Sequence, residues 1–532
     1  DTVLVKDCTP FGTNLNGRNL LKRQVEVNFE GTSHRVCLNG EVFRDGFLCY
    51  TFGEAANKYS HLDKHWPGGT ILILSGPAKG QKRTITKVEF RQAATWPWSV
   101  ARGEKTVAGY LVFDKPIEGL PEDKRADLEA VRKAKGNVHR AFAGDPLKNV
   151  GALVEKNYLD VGWCGRSRDF IPDGKAKNLT TVQGDTPPGS FGTSALLVDA
   201  TEKRADLRFP MYQHAFANCN GIYHVSFWAK AKSGSPRFRV TWDRLAAAPE
   251  EMVTPSGQWK EYKLSFDLRG KFPAKAPSPR DRNRTGSTGL VAIEGGAVLL
   301  DDIAIELEGD KNPTPFRDDI VEVLKQSRVG VLRLLQEGGD TMVNTISPRM
   351  RQHSYDGSVW HPKRDPAKRS WFSGQRHYTL HEMYTLCEHL GCEPWYVLPG
   401  TLYPEEIDVF MEYVGAPPDV GYGKVRAAQG HPKPWTETLR RIHVEFGNEV
   451  WNFVGEYKVS SYDGPDYWEG LIRRAKKSPY YKDNIIFVMG TDSKLDHVPS
   501  ADRVMRRAPY IIHDLPQKEL DRHKTREDLY RW

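Results

Sequence analysis

The feature that most constrains the fold of this 532-residue chain is a change of pattern after Glu308, where apolar strands begin to alternate with amphipathic helices. The predicted strands cover residues 329–335, 393–398, 442–446, 485–489 and 510–512, and the predicted helices include 379–390 and 404–414. Such alternation is typical of a parallel α/β architecture, whose natural form is a (β/α)8 barrel. We therefore predict a TIM-barrel-like domain over residues 311–532.

The sequence before Glu308 predicts β-structure. Residues 1–150 carry short apolar runs between Gly and Pro turns, and a charged segment from Pro121 to Gly136 predicts a linking helix. Residues 151–310 carry alternating strands at the spacing of a β-sandwich. The expected fold class is thus multidomain: an all-β N-terminal region, a β-sandwich and a (β/α)8 barrel, with ~100–200 residues per domain.

The charge balance argues against a nucleic-acid partner. The formal net charge of +8 is distributed over 76 basic and 68 acidic residues, and the basic clusters, such as the one at 473–477, are short. This pattern is typical of solvated surfaces, although attraction to an acidic polysaccharide is compatible with it. No apolar run approaches the ~18–20 residues that cross a bilayer, so we predict no membrane insertion.

Several sequence features bear on location and cofactors. The sequence begins at Asp1 without a leader, which is compatible with removal of a signal peptide and with a secreted or cell-surface protein. The seven cysteines lack the Cys-x-x-Cys spacing of a zinc site, and no Gly-x-Gly-x-x-Gly follows a strand. We therefore expect neither a catalytic metal nor a nucleotide cofactor. Nothing in the sequence indicates an oligomeric state.

The 14 Trp and 21 Tyr suit a carbohydrate ligand, because sugar rings stack on flat aromatic side chains. In a (β/α)8 barrel the reactive side chains lie where the strands end. One predicted strand ends in Phe446-Gly-Asn-Glu-Val-Trp-Asn452. Cleavage of a glycosidic bond needs one carboxylic acid to protonate the leaving oxygen and one carboxylate to attack or to activate water. Glu449 is a carboxylate at such a strand end.

Residues 151–310 resemble the jelly-roll carbohydrate-binding modules that accompany many polysaccharide-degrading enzymes. The resemblance rests on three short strand motifs, which are Phe227 to Lys230, Gly257 to Trp259 and Leu300 to Ile303. It implies a domain that binds sugar or supports its neighbours. It also implies a structural calcium near Asp301 and Asp302, although a surface β-turn would explain these two residues equally well.

The segment from His443 to Trp451 resembles the fourth barrel strand of clan A glycoside hydrolases. The resemblance implies that Glu449 is the general acid/base and that Asn448 contacts a sugar hydroxyl. The α-L-arabinofuranosidase-like branch is the most similar, because three further motifs precede this strand in the same order. They are a first strand with Leu332-Arg333 and Gly338-Gly339, the segment Cys387 to Pro394, and a loop from Arg426 to Pro432. The implied function is a retaining glycosidase that cleaves polysaccharide by double displacement.

In that family the nucleophilic glutamate ends the seventh strand, whereas only two strand patterns, near Met489 and Ile512, follow Glu449. We therefore expect the barrel-like domain to be incomplete at its C-terminus, and we assign no nucleophile. The same pattern is compatible with a non-catalytic carbohydrate-binding or cell-surface structural protein on a barrel-derived scaffold.

Four further residues are candidates for substrate binding, and each has a structural alternative. Arg333 could hold a carboxylate that closes the barrel, and His513 could be a buried structural histidine. Trp360 and Trp451 could stack on a sugar or could pack beneath a loop.

Overall fold

The computed structural model describes residues 12–14, 20–27, 33–49, 66–92, 107–122, 150–157, 171–172, 178–190, 192–210, 221–242, 250–271, 288–309, 311–334, 341–348, 379–447, 464–491 and 499–506. The strands are β1 (Gly12–Asn14), β2 (Arg23–Val27), β3 (Ser33–Val42), β4 (Gly46–Cys49), β5 (Thr70–Ile73), β6 (Lys82–Gln92), β7 (Val107–Phe113), β8 (Val150–Asn157), β9 (Ile171–Pro172), β10 (Leu179–Gln183), β11 (Ser194–Asp199), β12 (Ala205–Pro210), β13 (Ile222–Trp242), β14 (Glu251–Val253), β15 (Lys260–Asp267), β16 (Thr288–Leu307), β17 (Val331–Leu334), β18 (Glu393–Leu398), β19 (Ile442–Phe446), β20 (Ile485–Thr491) and β21 (Arg503–Arg506). The helices are α1 (Asp318–Gln326), α2 (Met342–Ile346), α3 (Leu380–Leu390), α4 (Pro404–Gly415), α5 (Gly423–Ala428), α6 (Trp435–Thr438) and α7 (Gly464–Lys476).

Among the described residues, six parallel strands form the α/β sheet, in the order β1-β17-β18-β19-β20-β21. The predicted bounds of β18 and β19 agree with the structure. Helix α3 also matches its prediction, because a capping box between Thr379 and Glu382 starts it and Gly391, with φ of +69°, ends it. Closure into a (β/α)8 barrel stays a prediction, and the predicted strand 510–512 lies outside the described residues.

Strand β1 was not predicted, and it corrects the strand count. Gly12 to Asn14 pair in parallel with Val331 to Arg333, so β17 is the second strand in sheet order rather than the first. Helix α1 directly precedes β17, as the crossover helix of a βαβ unit does. The β-rich segments therefore lie in the chain between the first and second strands of the parallel sheet.

The two ends of that inserted segment are joined by backbone hydrogen bonds. Leu21 and Phe316 form an antiparallel bridge. The Lys22 N–H donates to the Pro315 carbonyl, and the Arg317 N–H donates to the Leu20 carbonyl, both at 2.9 Å. Because the segment leaves and returns at one place, it can be accommodated without separating β1 from β17.

The first β-rich unit, here called the small barrel, is a closed antiparallel sheet in the order β3-β4-β7-β6-β5-β8. Its last strand, β8, runs from Val150 to Asn157. The predicted boundary between residues 150 and 151 therefore cuts through a strand of the small barrel. The predicted linking helix between Pro121 and Gly136 lies outside the described residues, apart from its first two positions.

The second β-rich unit has nine strands around the long antiparallel pair β13 and β16, as expected for a β-sandwich. Its core contains Phe227, Phe238 and Trp242 from β13 and Phe266 from β15. Asp301 is buried within β16, and Asp302 has φ of +46° beside a register shift. The surface-turn explanation is thus wrong, because this pair forms a β-bulge inside a strand.

The small barrel shares a hydrophobic core with the α/β unit. Cys37, Leu74 and Leu153 of the small barrel belong to the same buried cluster as the apolar residues of β17 to β20 and their helices. None of the described helices is both long and apolar enough to span a membrane.

Candidate active site

One face of the parallel sheet carries polar side chains at adjacent positions, and we call it the polar face. Alternation along each strand turns successive side chains to opposite faces, and lateral pairing keeps partners on the same face. Register pairs Arg333 with Trp395 and Trp395 with His443. Glu393 in β18 and Glu445 in β19 lie two residues from Trp395 and His443, so their side chains are on the polar face as well. The opposite, apolar face packs on the helices and includes Leu332, Tyr396, Val444 and Phe487.

Glu445 is the centre of the polar face. Its carboxylate accepts hydrogen bonds from Arg333 Nη2 at 2.7 Å, from Arg333 Nε at 3.0 Å and from Trp395 Nε1 at 2.8 Å. The Glu445 side chain is fully buried, and that of Arg333 is 18% exposed. A buried charge is stable only when it is paired and hydrogen-bonded. These contacts meet that requirement for Glu445 and hold the Arg333 guanidinium and the Trp395 indole in fixed positions.

A second buried carboxylate, that of Glu393, lies nearer the amino ends of the strands. His443 Nε2 lies 2.7 Å from Glu393 Oε2, both side chains are buried, and Arg440 contacts the other carboxylate oxygen. Burial would raise the pKa of Glu393, but hydrogen bonds from His443 and Arg440 hold it below its usual value. Burial lowers the pKa of His443 despite the attraction of Glu393. A neutral imidazole that donates from Nε2 to an ionised carboxylate agrees with both directions.

The carboxyl end of β19 leads directly into the predicted catalytic segment. Gly447 follows β19 with φ of +68°, and its N–H donates to the Leu398 carbonyl at 2.8 Å. The positive φ turns the chain out of the strand at the edge where β18 also ends. Of the predicted site residues only Arg333 is among those described. The others lie outside the described residues, and their roles stay predictions: Asn448, Glu449, Trp360, Trp451 and His513.

The loop after β18, residues 399–403, lies at the same edge of the sheet. Side chains of α7 and of the small barrel donate hydrogen bonds to its carbonyls. On one side, Trp468 Nε1 of α7 donates to the Gly400 carbonyl at 3.2 Å, and the Tyr467 hydroxyl donates to the Leu402 carbonyl. On the other side, Arg35 of the small barrel donates to the Thr401 carbonyl at 3.0 Å.

Arg35 of the small barrel forms ion pairs with two carboxylates and so links the small barrel to this loop. It contacts Glu406 at 2.5 Å and Glu155 at 2.9 Å, and its guanidinium lies 3.5 Å from the centroid of the Tyr403 ring. Burial opposes the charge, but the two carboxylates raise the pKa of Arg35 above its usual value. Glu406 in turn accepts from the backbone N–H of Tyr403 and of Met342. The small barrel therefore positions a loop at the carboxyl edge of the sheet.

Sequence reasoning missed most of these residues. Glu445 and His443 interrupt the apolar strand Ile442-His-Val-Glu-Phe446 at alternate positions, which is the signal that would have found them. Trp395 and Glu393 show the same alternation in β18. Arg35 gave no such signal, because a single arginine in a β-rich region is ordinarily exposed.

Within the described residues, no group of three or more His, Cys, Asp or Glu side chains is placed to hold a metal ion. The Asp301 carboxylate in the β-sandwich-like unit accepts the Asp302 backbone N–H at 2.8 Å, so it has a structural role in the bulge. The predicted calcium stays a prediction.

Comparisons with known proteins show partial similarity to arabinofuranosidases. An extracellular exo-α-L-arabinofuranosidase of Streptomyces chartreusis is 23% identical over 261 residues, which are 43% of this chain and 29% of that protein. An intracellular exo-α-L-arabinofuranosidase of Bacteroides ovatus is 35% identical over 97 residues, which are 18% of this chain and 16% of that protein.

The chain thus spans less than a third of the length of these curated relatives. An α-L-arabinofuranosidase structure from Thermotoga maritima aligns with a TM-score of 0.27 at 18% identity, over 35% of this chain and 37% of that one. No family model matches the chain.

Proposed function

We infer that this chain carries the acid/base part of a retaining glycoside hydrolase that acts on polysaccharide, with Glu449 as the general acid/base. One observation carries the proposal. With β1 counted, the Gly447-Asn448-Glu449 segment follows the fourth strand in sheet order, which is where the resemblance to clan A requires the acid/base. The partial similarity to arabinofuranosidases supports the same class.

The polar face suits this chemistry because its charged side chains would be held in fixed positions beneath the reacting sugar. Glu445 holds Arg333 and Trp395 in place, so neither side chain has to reorganise when charge develops on the substrate. In the first step Glu449 would protonate the leaving oxygen while a second carboxylate attacks the sugar. In the second step Glu449 would deprotonate the water that releases it.

Such a mechanism places the two carboxyl groups about 5–5.5 Å apart, and the charge of the nucleophile raises the pKa of the acid. Asn448 would contact a sugar hydroxyl, and the nucleophile is not assigned. Arabinofuranoside specificity, an extracellular location and a (β/α)8 barrel belong to the same proposal.

The test is Glu449→Gln in the natural protein, assayed on two aryl glycosides of one sugar. A poor leaving group needs a proton, so its hydrolysis should fall by about 10²–10⁴-fold. An activated leaving group departs without protonation, so the first step should be nearly preserved and a burst of released phenol should remain. The exposed Glu437, which pairs with Lys482, provides the matched control Glu437→Gln.

Equal loss on both substrates would contradict an acid/base role and would indicate a structural one. If the natural protein bound polysaccharide but cleaved no glycoside, the alternative of a carbohydrate-binding protein on a barrel-derived scaffold would replace the proposal.

A further inference from the structure

We propose that Cys387 and Cys392 are an oxidation site, where a disulfide oxidant joins the two thiols across the C-terminal cap of α3. Four residues separate the two cysteines in the chain. The bond joins the last turn of α3 to the residue that directly precedes β18. This site is separate from the proposed hydrolytic chemistry and does not depend on Glu449.

The backbone at the end of α3 forms a Schellman motif, and this motif brings the two cysteines together. Gly391 has φ of +69°, and its N–H donates to the Glu388 carbonyl at 3.2 Å. The Cys392 N–H donates to the Cys387 carbonyl at 3.0 Å. These two hydrogen bonds define the motif, and the side chains at the positions of Cys387 and Cys392 commonly pack against each other in it.

The hydrogen bond between the two cysteines also limits the distance between their Cα atoms. Since the donor nitrogen and the acceptor oxygen are 3.0 Å apart, standard backbone dimensions place the Cα atoms no more than about 7 Å apart. Disulfides span roughly 4.4–6.8 Å between Cα atoms. The two thiols are already in hydrogen-bonding contact. Formation of the bond therefore requires little movement of the backbone.

The surroundings of the two thiols determine when they can react. Both side chains are buried in the core of the α/β unit. Burial and a hydrogen bond with Cys392 raise the pKa of the Cys387 thiol well above its usual value. Because the thiolate is the form that attacks a disulfide, the folded and reduced protein should oxidise slowly. The bond therefore forms while the chain folds or when the cap of α3 opens locally.

Oxidation proceeds by two thiol–disulfide exchange steps, with glutathione disulfide as the oxidant. The thiolate of one cysteine attacks a sulfur of glutathione disulfide, forms a mixed disulfide and releases one glutathione thiolate. The thiolate of the other cysteine then attacks the protein sulfur of the mixed disulfide, forms the new bond and releases the second glutathione thiolate. Two electrons pass to glutathione, and its two thiolates take up the two protons that the cysteines lose.

The bond would fasten the part of the sheet that holds a buried carboxylate. Cys392 directly precedes Glu393, whose carboxylate contacts His443 and Arg440. A disulfide limits the conformations of the opened chain, and the closed loop is short, so the effect should be largely local to the cap. Oxidation should thus slow the opening of the end of α3 and of the start of β18.

The first experiment identifies the bond in the full chain. No Lys or Arg lies between Arg376 and Lys424, so trypsin releases both cysteines in one peptide that contains no other cysteine. The protein is equilibrated with glutathione disulfide in mild urea, which lets the cap open, and is then denatured, alkylated and digested. We expect this peptide to carry no alkyl group and to have two hydrogen atoms fewer than the reduced peptide. After treatment with dithiothreitol it should carry two alkyl groups.

Hydrogen exchange on the same samples measures whether the bond fastens the cap. The amides of residues 386–398 should exchange at least about tenfold more slowly in the oxidised protein. Cys392→Ala should abolish this difference between the redox states, and Cys387→Ala serves the same purpose if the first variant does not fold. The matched control Cys37→Ala removes another buried cysteine of the same core and should preserve the difference.

Alkylation of both cysteines after equilibration would overturn the proposal, as would a stable glutathione adduct on either one or a disulfide from either one to another cysteine. Equal exchange rates in the two redox states would overturn it as well. None of these measurements involves hydrolysis. If Glu449→Gln left hydrolysis intact, the proposed function alone would fail.

Discussion

The two faces of the parallel sheet are built from the same strands and yet differ in their polar side chains. On the apolar face, Tyr396, Val444 and Phe487 are completely buried against helices. On the polar face, Arg333, Trp395 and Glu445 form a hydrogen-bonded group. Because side chains alternate along β18 and β19, the residues buried against helices lie on the apolar face and the hydrogen-bonded charged residues lie on the polar face.

Most of the favourable free energy of folding of this unit should therefore come from the apolar face. Burial of apolar area is favourable in itself, whereas a buried ion pair must offset the desolvation of its own charges.

The largest effect should follow truncation of the apolar face. Phe487 stacks on Phe446, with ring centroids 6.1 Å apart, and is fully buried. Phe487→Ala should lower the free energy of unfolding by about 4 kcal/mol, measured by urea denaturation. Its chain neighbour Ile486, partly exposed on the polar face, is the matched control, and equal losses for Phe487→Ala and Ile486→Ala would break the comparison.

The next effect concerns two histidines on the two sides of the sheet. His381 of α3 lies in the helix layer, where burial lowers its pKa from 6.5 to about 4. A depressed pKa means that the unfolded chain binds the proton more readily. Stability is therefore complete above pH 6.5 and falls as the pH drops toward 4, by roughly 3 kcal/mol in total.

On the polar face, Glu393 opposes the depression of the pKa of His443. Denaturation curves from pH 7 to pH 4 should thus lose more of their pH dependence in His381→Gln than in His443→Gln. The reverse ranking would show that the helix layer is not the more apolar environment.

The smallest of the three effects should come from the polar face itself. Glu445→Gln keeps the shape of the side chain but removes the charge that Arg333 faces. We expect a loss of about 2 kcal/mol in unfolding free energy. The double change Arg333→Met with Glu445→Gln should be less destabilising than the two single losses added together, which a double-mutant cycle measures. Strict additivity would mean that the pair is not coupled.

The same comparison explains what could be predicted from the sequence. β18, β19 and α3 were predicted because apolar periodicity and capping are local signals. β1 was missed because Gly-Thr-Asn has no periodicity, and its position depends on pairing with a strand about 300 residues away. Arg35 was missed for the same reason, since its partners Glu155 and Glu406 are distant in sequence.

Within the candidate site, Glu449 stays a prediction from a motif. The side chains that support Arg333 became evident only from the register of three strands. The small barrel illustrates this limit further. Its β-rich character was predicted from short apolar runs between Gly and Pro turns, but its contact with the loop after β18 depends on long-range packing.

The distant pairing of β1 also has a consequence for biosynthesis. A ribosome makes Gly12 to Asn14 before the two β-rich units, and their partner strand follows about 300 residues later. At a translation rate of about 5–20 residues per second, the partner strand is synthesised roughly 15–60 s after β1. During that interval the two β-rich units can fold, and the bridge between Leu21 and Phe316 can then bring the early strand to the nascent sheet. Translation speed across residues 20–317 should therefore influence the yield of correctly folded protein.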